Sequence, residues 1–514
     1  MMRLPTFMTE PVSSEAITSP VSRTPSPRAE MTARAIVIAI AYSVIGIVAV
    51  RSVPGIDIDQ WWHMSAARWM LHHHAFPQVA IYSGLHPQPV WHDYSWLYDL
   101  MMYKLYRSFG LAGILAYITA MVLAILTALH RITGRVQADF LPAMVVAVAG
   151  ILSMTPLYTP RSWLFSILFF VIQLDVLHRA RSSGRWQTLL WLLPLYALWA
   201  NIHIQFMDGL VVLGATACEP LFMRLWPWPE KPPLPAGKLF AILGGCIVAT
   251  WINPYGWSLY FSAYKLVSER VVFNHVEELL AIPFRIWENY LFLALVVAAA
   301  VALARRQKPD LWRWMLFAGG LIISFRSGRD IWFLTAIAVM ILAEGLSSKA
   351  VSAPLRPLPK LARPVIAVVV ILVTFASARV MGIDKTYLKK YEYLAMPVRA
   401  VDAVMEKGYP GPIFNNYEWG GYLIWRMRKP VSIDGRAAVY GGERFKRTLD
   451  TWMGEPDWTS NPQLKAANLV IGPVNDALTQ LLREDPDFRM VYRDKVAAVF
   501  VRNTTAKAAQ AKKN

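Results

Sequence analysis

The sequence predicts an α-helical polytopic membrane protein with about eleven transmembrane helices and a small C-terminal α/β domain. Three observations predict it. Of 514 residues, 55% are hydrophobic and 17% charged, against about 25% charged in a soluble domain. The apolar residues fall in nearly uncharged blocks of about 16–20, close to the roughly 20 residues that cross a hydrocarbon core of about 30 Å. Beyond the last block the pattern changes to short alternating strand and helix signals.

Residues 1–33 are rich in Ser, Thr and Pro and lack an apolar run, which predicts a disordered cytoplasmic tail and not a cleaved leader. Apolar blocks then begin near residues 34, 111, 139, 162, 187, 207, 238, 286, 312, 331 and 363. The pair near 187 and 207 also suits a broken or re-entrant hairpin. Residues 34–381 thus form the membrane domain. The net charge of +18 gathers in alternate connections. Arg131 and Arg135 follow the second block, Arg179, Arg181 and Arg185 the fourth, Arg305, Arg306 and Arg313 the eighth, and Lys349, Arg356 and Lys360 the tenth. That is the positive-inside pattern. It implies a multi-pass protein of a bacterial inner membrane, with a cytoplasmic N-terminus and everything past the last span periplasmic. The basic balance is thereby explained without nucleic acid as a partner. Cys218 and Cys246 both lie in apolar blocks, so no disulfide framework is expected.

The first outer loop, residues 51–110, is too long for a simple connector. Trp62, Ala66, Trp69, Met70 and His73 recur at helical spacing, as do Leu97, Leu100, Met101, Lys104 and Leu105. Both stretches predict amphipathic helices lying in the interface. In the periplasmic α/β domain, residues 382–503, strands are expected over 412–415, 430–434 and 469–472. A helix is expected over 475–485, a hairpin over 490–501, and either a helix or a strand over 419–427. Residues 504–514 form a basic, disordered tail.

The chemistry begins at Asp57-Ile58-Asp59-Gln60-Trp61-Trp62-His63, directly after the first block. A carboxylate there can act as a general base or bind a divalent cation, Mg²⁺ or Mn²⁺, or it can simply cap the following helix. Arg161, Arg326 and Arg329 fall in outer turns against the charge bias. Such guanidinium groups can hold a lipid-linked phosphate, or snorkel to headgroups and pair with Asp330. Asn201 and His203 end the fifth block; the histidine is either a site residue or a satisfied core residue. His92 and Asp93 either orient substrate or make a turn. Glu277 and Glu278 lie in a long outer loop that can close over a site. His72-His73-His74 cannot converge on one ion, because neighbours on a helix point about 100° apart. Asp175 and Glu219 fall towards the cytoplasmic ends, where solvation accounts for them. Gly420-Gly421 lacks P-loop spacing, and Gly435 and Gly441-Gly442 read as turn glycines.

The run Asp59-Gln60-Trp61-Trp62-His63-Met64-Ser65-Ala66-Ala67-Arg68 resembles the opening of the first outer loop in the GT-C superfamily of membrane glycosyltransferases. The likeness extends to the protein mannosyltransferases, the aminoarabinose transferases and the oligosaccharyltransferases. Trp91-His92-Asp93-Tyr94, Trp199-Ala200-Asn201-Ile202-His203, Asn253-Pro254-Tyr255-Gly256 and Ser324-Phe325-Arg326-Ser327-Gly328-Arg329 resemble motifs of a bacterial branch of that superfamily. So do Asn415-Asn416-Tyr417-Glu418-Trp419-Gly420-Gly421 and Ile433-Asp434-Gly435-Arg436. The resemblance implies a GT-C-like fold and Asp59 as the catalytic carboxylate, with Asp57 an upstream extra. Gln60 replaces the Glu of one branch, so the second acidic role passes to Asp57, Asp93 or Asp99. Arg326, Arg329 and Arg161 become candidates for the donor phosphate. His63, His92, Asp93, Asn201, His203, Glu277, Tyr417 and Glu418 become candidates for substrate contact. The implied reaction moves a sugar, with inversion, from a polyprenyl-(di)phosphate donor to a hydroxyl of a glycan, lipid or protein acceptor. A flippase for lipid-linked glycans and a non-catalytic scaffold are the alternatives. A flippase needs polar groups at mid-bilayer depth, whereas this sequence places its carboxylates and arginines at the outer ends of blocks.

Overall fold

The computed structural model describes residues 26–51, 57–137, 139–225, 234–306, 308–347 and 358–503. Of the tail expected over 1–33, residues 1–25 lie outside the described residues and residues 27–33 are helical instead; the tail expected over 504–514 also lies outside them. The first helix starts earlier than expected, at Pro27 instead of near residue 34. Ser26 explains this: its Oγ accepts the backbone N–H of Ala29 at 3.3 Å, and proline suits a first helical position because it has no N–H to leave unpaired.

The bundle runs through α1 (Pro27–Arg51), α2 (Gln60–His73), α3 (Trp96–Phe109), α4 (Leu111–Val136), α5 (Phe140–Ser153) and α6 (Trp163–Ser183). A 3-10 turn over Trp186–Trp191 leads into α7 (Leu192–Trp199). Then come α8 (Phe206–Leu225), α9 (Ala236–Ala249), α10 (Ser258–Ser268), α11 (Arg270–His275), α12 (Trp287–Ala304), α13 (Leu311–Arg326), α14 (Ile331–Gly345) and α15 (Ala362–Val380). Among the described residues six helices, α1, α4, α6, α8, α12 and α15, are long and apolar enough to cross a membrane; α5 and α9 are shorter apolar helices.

α14 is buried on every face from Ile331 to Ile341, packed among α4, α5, α6, α12 and α13. A helix enclosed all round has no polar stripe to display, which is why this stretch lacks amphipathic spacing. α15 is the opposite case. It leans on α1 and leaves Val365, Val368, Ile371, Leu372 and Phe375 exposed. Burying each such side chain gains about 1.5–3 kcal/mol, so a row of them suits lipid and not water.

α2 departs from expectation. Gln60 through Ala67 are all buried, because α2 is clasped between α3 and α18 (Gly420–Met427) of the C-terminal segment. It is therefore an enclosed helix over its first two turns, not a one-faced interfacial one.

The C-terminal segment adds α16 (Lys385–Ala395), α17 (Val398–Lys407), β1 (Ile413–Asn415), α18, α19 (Ala437–Tyr440), α20 (Gly442–Trp452) and α21 (Pro462–Ala466). It closes with β2 (Leu469–Pro473), α22 (Ala477–Glu484), β3 (Phe488–Arg493) and β4 (Ala497–Arg502). The strands form one sheet in the order β1-β2-β4-β3, with β1 and β2 parallel and the other pairs antiparallel. Its core stacks Phe414 on Trp452 at 5.6 Å, beside Val470, Leu478 and Phe500. The strand expected over 430–434 is absent. Val431 instead bridges to Ser83 of the first loop, with Gly84 N–H donating to Val431 O at 2.8 Å and Val431 N–H to Tyr82 O at 3.0 Å. The Asn415 carboxamide takes up the groups of Ser432 and Ile433. The backbone there finds a loop and a side chain as partners, so it needs no ladder.

Candidate active site

The C-terminal segment and the first loop meet at Asp59. Gly420 and Gly421 open α18 against α2: a Cβ on Gly421 would lie 3.0 Å from Ile58 O and 3.2 Å from Trp62 N. Gly435 approaches closer still, and a Cβ there would land on Asp59 Oδ1. The expected turn role of Gly435 is therefore a close-contact role. Its neighbours lock it in place. Arg436 pairs with Asp434 at 2.6 Å, donates to Ile81 O at 2.9 Å and lies over the Trp91 ring at 4.6 Å. Tyr440 Oη donates to Asp434 Oδ2 at 2.6 Å, and Tyr417 Oη to Gly435 O at 3.3 Å.

Asp59 sits at the N-cap of α2 yet makes no side-chain cap bond. Its carboxylate turns to Arg161, which donates from Nη1 to Asp59 Oδ2 and from Nε to Asp57 Oδ2, the latter at 2.6 Å. Asp57 Oδ1 instead accepts the Asp59 N–H at 2.8 Å. Arg161 Nη2 also lies 3.7 Å from Glu278, which in turn lies 3.7 Å from Arg329. Three carboxylates thus surround one guanidinium, with a second at the edge. Burial raises the Asp59 carboxyl to about 6, opposed by Arg161 and reinforced by Asp57 and Glu278. Burial also raises Asp57, with Arg161 opposing it. Asp59 Oδ1 has no hydrogen bond among the described residues, and neither does Nε1 of the adjacent Trp62. Trp62 Nε1 nonetheless sits on the same side, beside Gly435, close enough to favour the ionised carboxylate.

This arrangement does not suit the divalent cation that sequence reasoning left open at Asp59. Asp57 and Asp59 each turn an oxygen to the Arg161 guanidinium, a cation already between them. Among the described residues, no group of three or more His, Cys, Asp or Glu side chains is arranged to hold a metal ion.

His63 lies one turn along α2, stacked on Trp62 at 3.6 Å, with Nδ1 2.6 Å from Asp99 Oδ1. His203 Nδ1 is 2.8 Å from Ser166 Oγ, and burial lowers its pKa to about 3, helped by Arg329 and Arg161. It packs edge-on near Tyr94 at 6.5 Å.

Several sequence candidates fall elsewhere. Glu277 is exposed; its neighbour Glu278 faces the arginines, because the 3-10 turn over Glu277–Leu279 rotates one carboxylate inward and the other out. Glu418 is exposed, and its backbone N–H bonds Asn416. Arg326 is exposed and packs over Phe273 at 4.9 Å, outside the charge nest. Asn201 spends its amide on structure: it accepts from Trp96 Nε1 at 2.8 Å and donates to Ala197 O and Ile252 O. His92 faces Ser262 Oγ at 3.0 Å and tilts against Tyr255. Asp93 is 1% exposed, and its Oδ1 accepts the Ser95 N–H at 3.2 Å. Asp175 and Glu219 are buried and paired with arginines, not solvated. Sequence reasoning missed the Asp434–Arg436 lock; the Asp-Gly-Arg spacing is its only sequence signal. Two surface cavities of about 460 and 790 Å³ lie at the opposite end of the bundle, lined by residues such as Arg135 and Arg179 or Arg306 and Glu344, and neither includes Asp59.

The architecture is GT-C-like. It superposes on the archaeal oligosaccharyltransferase AglB from Archaeoglobus fulgidus, solved with an inhibitory peptide and a dolichol-phosphate. The TM-score is 0.53 at 10% identity, covering 87% of this chain and 70% of that one. An Archaeoglobus fulgidus oligosaccharyltransferase tethered to an acceptor peptide gives 0.49 at 10% identity, covering 86% of this chain and 69% of that one. ArnT from Cupriavidus metallidurans, bound to undecaprenyl phosphate, gives 0.48 at 11% identity, covering 92% and 99%. At such identities the likeness is one of fold. No protein-family model matches the chain, and no curated protein matches it in sequence.

Proposed function

We infer that this chain is a membrane glycosyltransferase that transfers a sugar from a polyprenyl-(di)phosphate donor to an acceptor hydroxyl, with Asp59 as its base. The observation that carries the reading is the Asp59 carboxylate. It leaves its helix uncapped, is gripped by Arg161 through one oxygen, and keeps the other beneath Gly435, beside Trp62 Nε1. A buried carboxylate raised to about 6 ionises at neutral pH and remains basic enough to take a hydroxyl proton as the new glycosidic bond forms. The acceptor oxygen attacks the anomeric carbon with inversion, and the lipid phosphate leaves with the bonding pair as a stable anion. Arg329 suits that anion. Its ion pairs, to Glu278 and Asp330, are long at 3.7 and 3.9 Å, and its Nε has no hydrogen bond. Its donors are therefore unspent. In this reading the six long helices and the shorter apolar ones make about eleven crossings of an inner membrane. The N-terminus is cytoplasmic, and the C-terminal segment is a periplasmic α/β domain that closes the site and shapes acceptor choice. No step runs through a metal.

The test uses the purified full chain in lipid vesicles and a panel of synthetic undecaprenyl-phosphate-linked sugars with simple glycan and lipid acceptors. Transfer is expected in the wild type and lost in Asp59→Asn. Undiminished transfer by Asp59→Asn would remove the carboxylate from the chemistry.

A further inference from the structure

α6 begins beside Arg161 and ends at Ser183. At about 1.5 Å per residue it carries the chain about 30 Å away from Asp59, to a region the reaction above does not use. Asp175, His178, Arg179 and Ser182 follow i, i+3, i+4, i+7 spacing, so one stripe of α6 presents all four. Gly184 ends the helix at φ 67°, a left-handed turn that suits glycine. The chain folds back there, and the Arg185 N–H donates to Ser183 Oγ at 3.3 Å. Arg135 joins from the last turn of α4. Between them lies a cavity of about 460 Å³, lined by Arg135, His178, Arg179, Ser182, Arg185 and Thr188.

Asp175 does not line the cavity; it is 7% exposed and anchors two of the arginines. Its Oδ1 lies 2.7 Å from Arg135 Nε and its Oδ2 3.4 Å from Arg179 Nε. Among the described residues, no hydrogen bond engages the Nη groups of either arginine, and the Arg185 guanidinium has neither a hydrogen bond nor an ion pair. Three guanidinium groups therefore share one carboxylate, an excess of two positive charges before His178 is counted. The C-terminal dipoles of α4 and α6 offset about one of them. The adjacent arginines differ: Arg181 spends two donors on Glu219, and Arg313 two on Glu344. Leu190 and Trp191, just past Thr188, are exposed. An exposed tryptophan beside arginines suits the depth of lipid headgroups.

We propose that this cavity binds a phosphate group, carried by a phospholipid headgroup or by free phosphate. The open forks of Arg135, Arg179 and Arg185 match phosphate oxygens, and Thr188 adds a hydroxyl. A basic pocket between helices at headgroup depth is the setting in which anionic lipid headgroups are held. Asp175 is a positioning residue: it fixes two arginines through Nε and leaves their outer donors to the ligand.

Arg185→Gln is the decisive variant, because Arg185 is exposed and supports no other side chain. Arg131→Gln is its control. Arg131 is exposed one turn earlier on α4 and outside the cavity, so its loss removes the same charge without touching the site. In one arm the full chain sits in phosphatidylcholine nanodiscs with added phosphatidylglycerol, and native mass spectrometry counts the retained lipid. In the other it sits in neutral detergent with inorganic phosphate, and the shift in unfolding temperature reads the affinity. Saturable binding is expected in at least one arm, weakened about tenfold by Arg185→Gln and held within about twofold by Arg131→Gln. Binding of phosphatidylglycerol alone assigns a lipid headgroup, and binding of phosphate alone a soluble phosphate. Asp59→Asn should bind as the wild type does, so the site stands or falls apart from the transfer reaction. No saturable binding in either arm, binding untouched by Arg185→Gln, or equal weakening by both substitutions overturns the proposal; the last would reduce it to diffuse surface charge.

Discussion

Two buried arginine–carboxylate clusters occupy opposite ends of the same helices, and they are built differently. At the end away from Asp59, Glu219 takes two bonds from Arg181, one at 2.9 Å. Glu344 accepts from Arg313 Nε and Nη2, both at 2.7 Å, and from Arg306 at 3.3 Å. Arg181 also lies over Trp312 at 4.4 Å. Those carboxylates have their capacity filled. At the Asp59 end, buried atoms are left over: Asp59 Oδ1, Asp93 Oδ2, Asp99 Oδ2 and Arg329 Nε; at the other end Asp175 Oδ1 and Arg179 Nε also lack a hydrogen bond, but both sit in close ion pairs, at 2.7 and 3.4 Å. A buried polar atom without a partner costs about 1–3 kcal/mol. A cluster that merely holds helices together has no reason to carry several, whereas one that must receive a substrate does.

Swapping substitutions between the ends is the strongest way to break this contrast. Asp59→Asn is expected to lower transfer by about 10²–10⁴-fold with an unchanged unfolding temperature. Arg181→Met is expected to cost about 3–5 kcal/mol of stability, because it strands Glu219, while activity per folded molecule survives. Thermal unfolding alongside the transfer assay reads both, and a reversed pattern would erase the distinction. Gly435→Ala sharpens it. The added methyl must displace Asp59 or the Asp434–Arg436 lock, so about 1–3 kcal/mol of destabilisation should accompany a clear loss of transfer.

The pH response should also separate the ends. Asp93, raised to about 6 from 3.8, binds its proton more tightly folded than unfolded. Between those values stability rises as pH falls, by about 2–3 kcal/mol, and Asp93→Asn should remove that rise in unfolding scans. Transfer runs the other way: it should decline as Asp59 protonates below about pH 6. The smallest effects belong to Glu277→Ala and Glu418→Ala. Both side chains are exposed, and each change should stay within about 0.5 kcal/mol with transfer unaltered.

The legible parts of the molecule were those fixed locally. Hydropathy located the long helices, α/β alternation located β1, β2, α22 and the β3–β4 hairpin, and the position of Asp59 singled it out. Asp57 and Arg161 were also found, as isolated charges. What stayed hidden depended on facing. Nothing local says that Glu278 and not Glu277 turns inward, or that the Asn201 amide is consumed by Trp96 and Ile252. The strand expected over 430–434 failed because its apolar run carries no sign of the bridge to Ser83. α17 and α20 went unread because they are short, and their apolar faces acquire meaning against the sheet.

By itself the sequence determined an apolar helical chain with a C-terminal segment of mixed strands and helices and an acidic pair directly after its first helix. These follow from spacing and transfer free energy, which act along the chain. The tertiary structure alone decided that Gly435 presses on Asp59, that Arg161 fills the space between three carboxylates, and that His63 meets Asp99. Those contacts join residues from distant parts of the sequence, and burial and charge pairing take their values from the company that folding brings together.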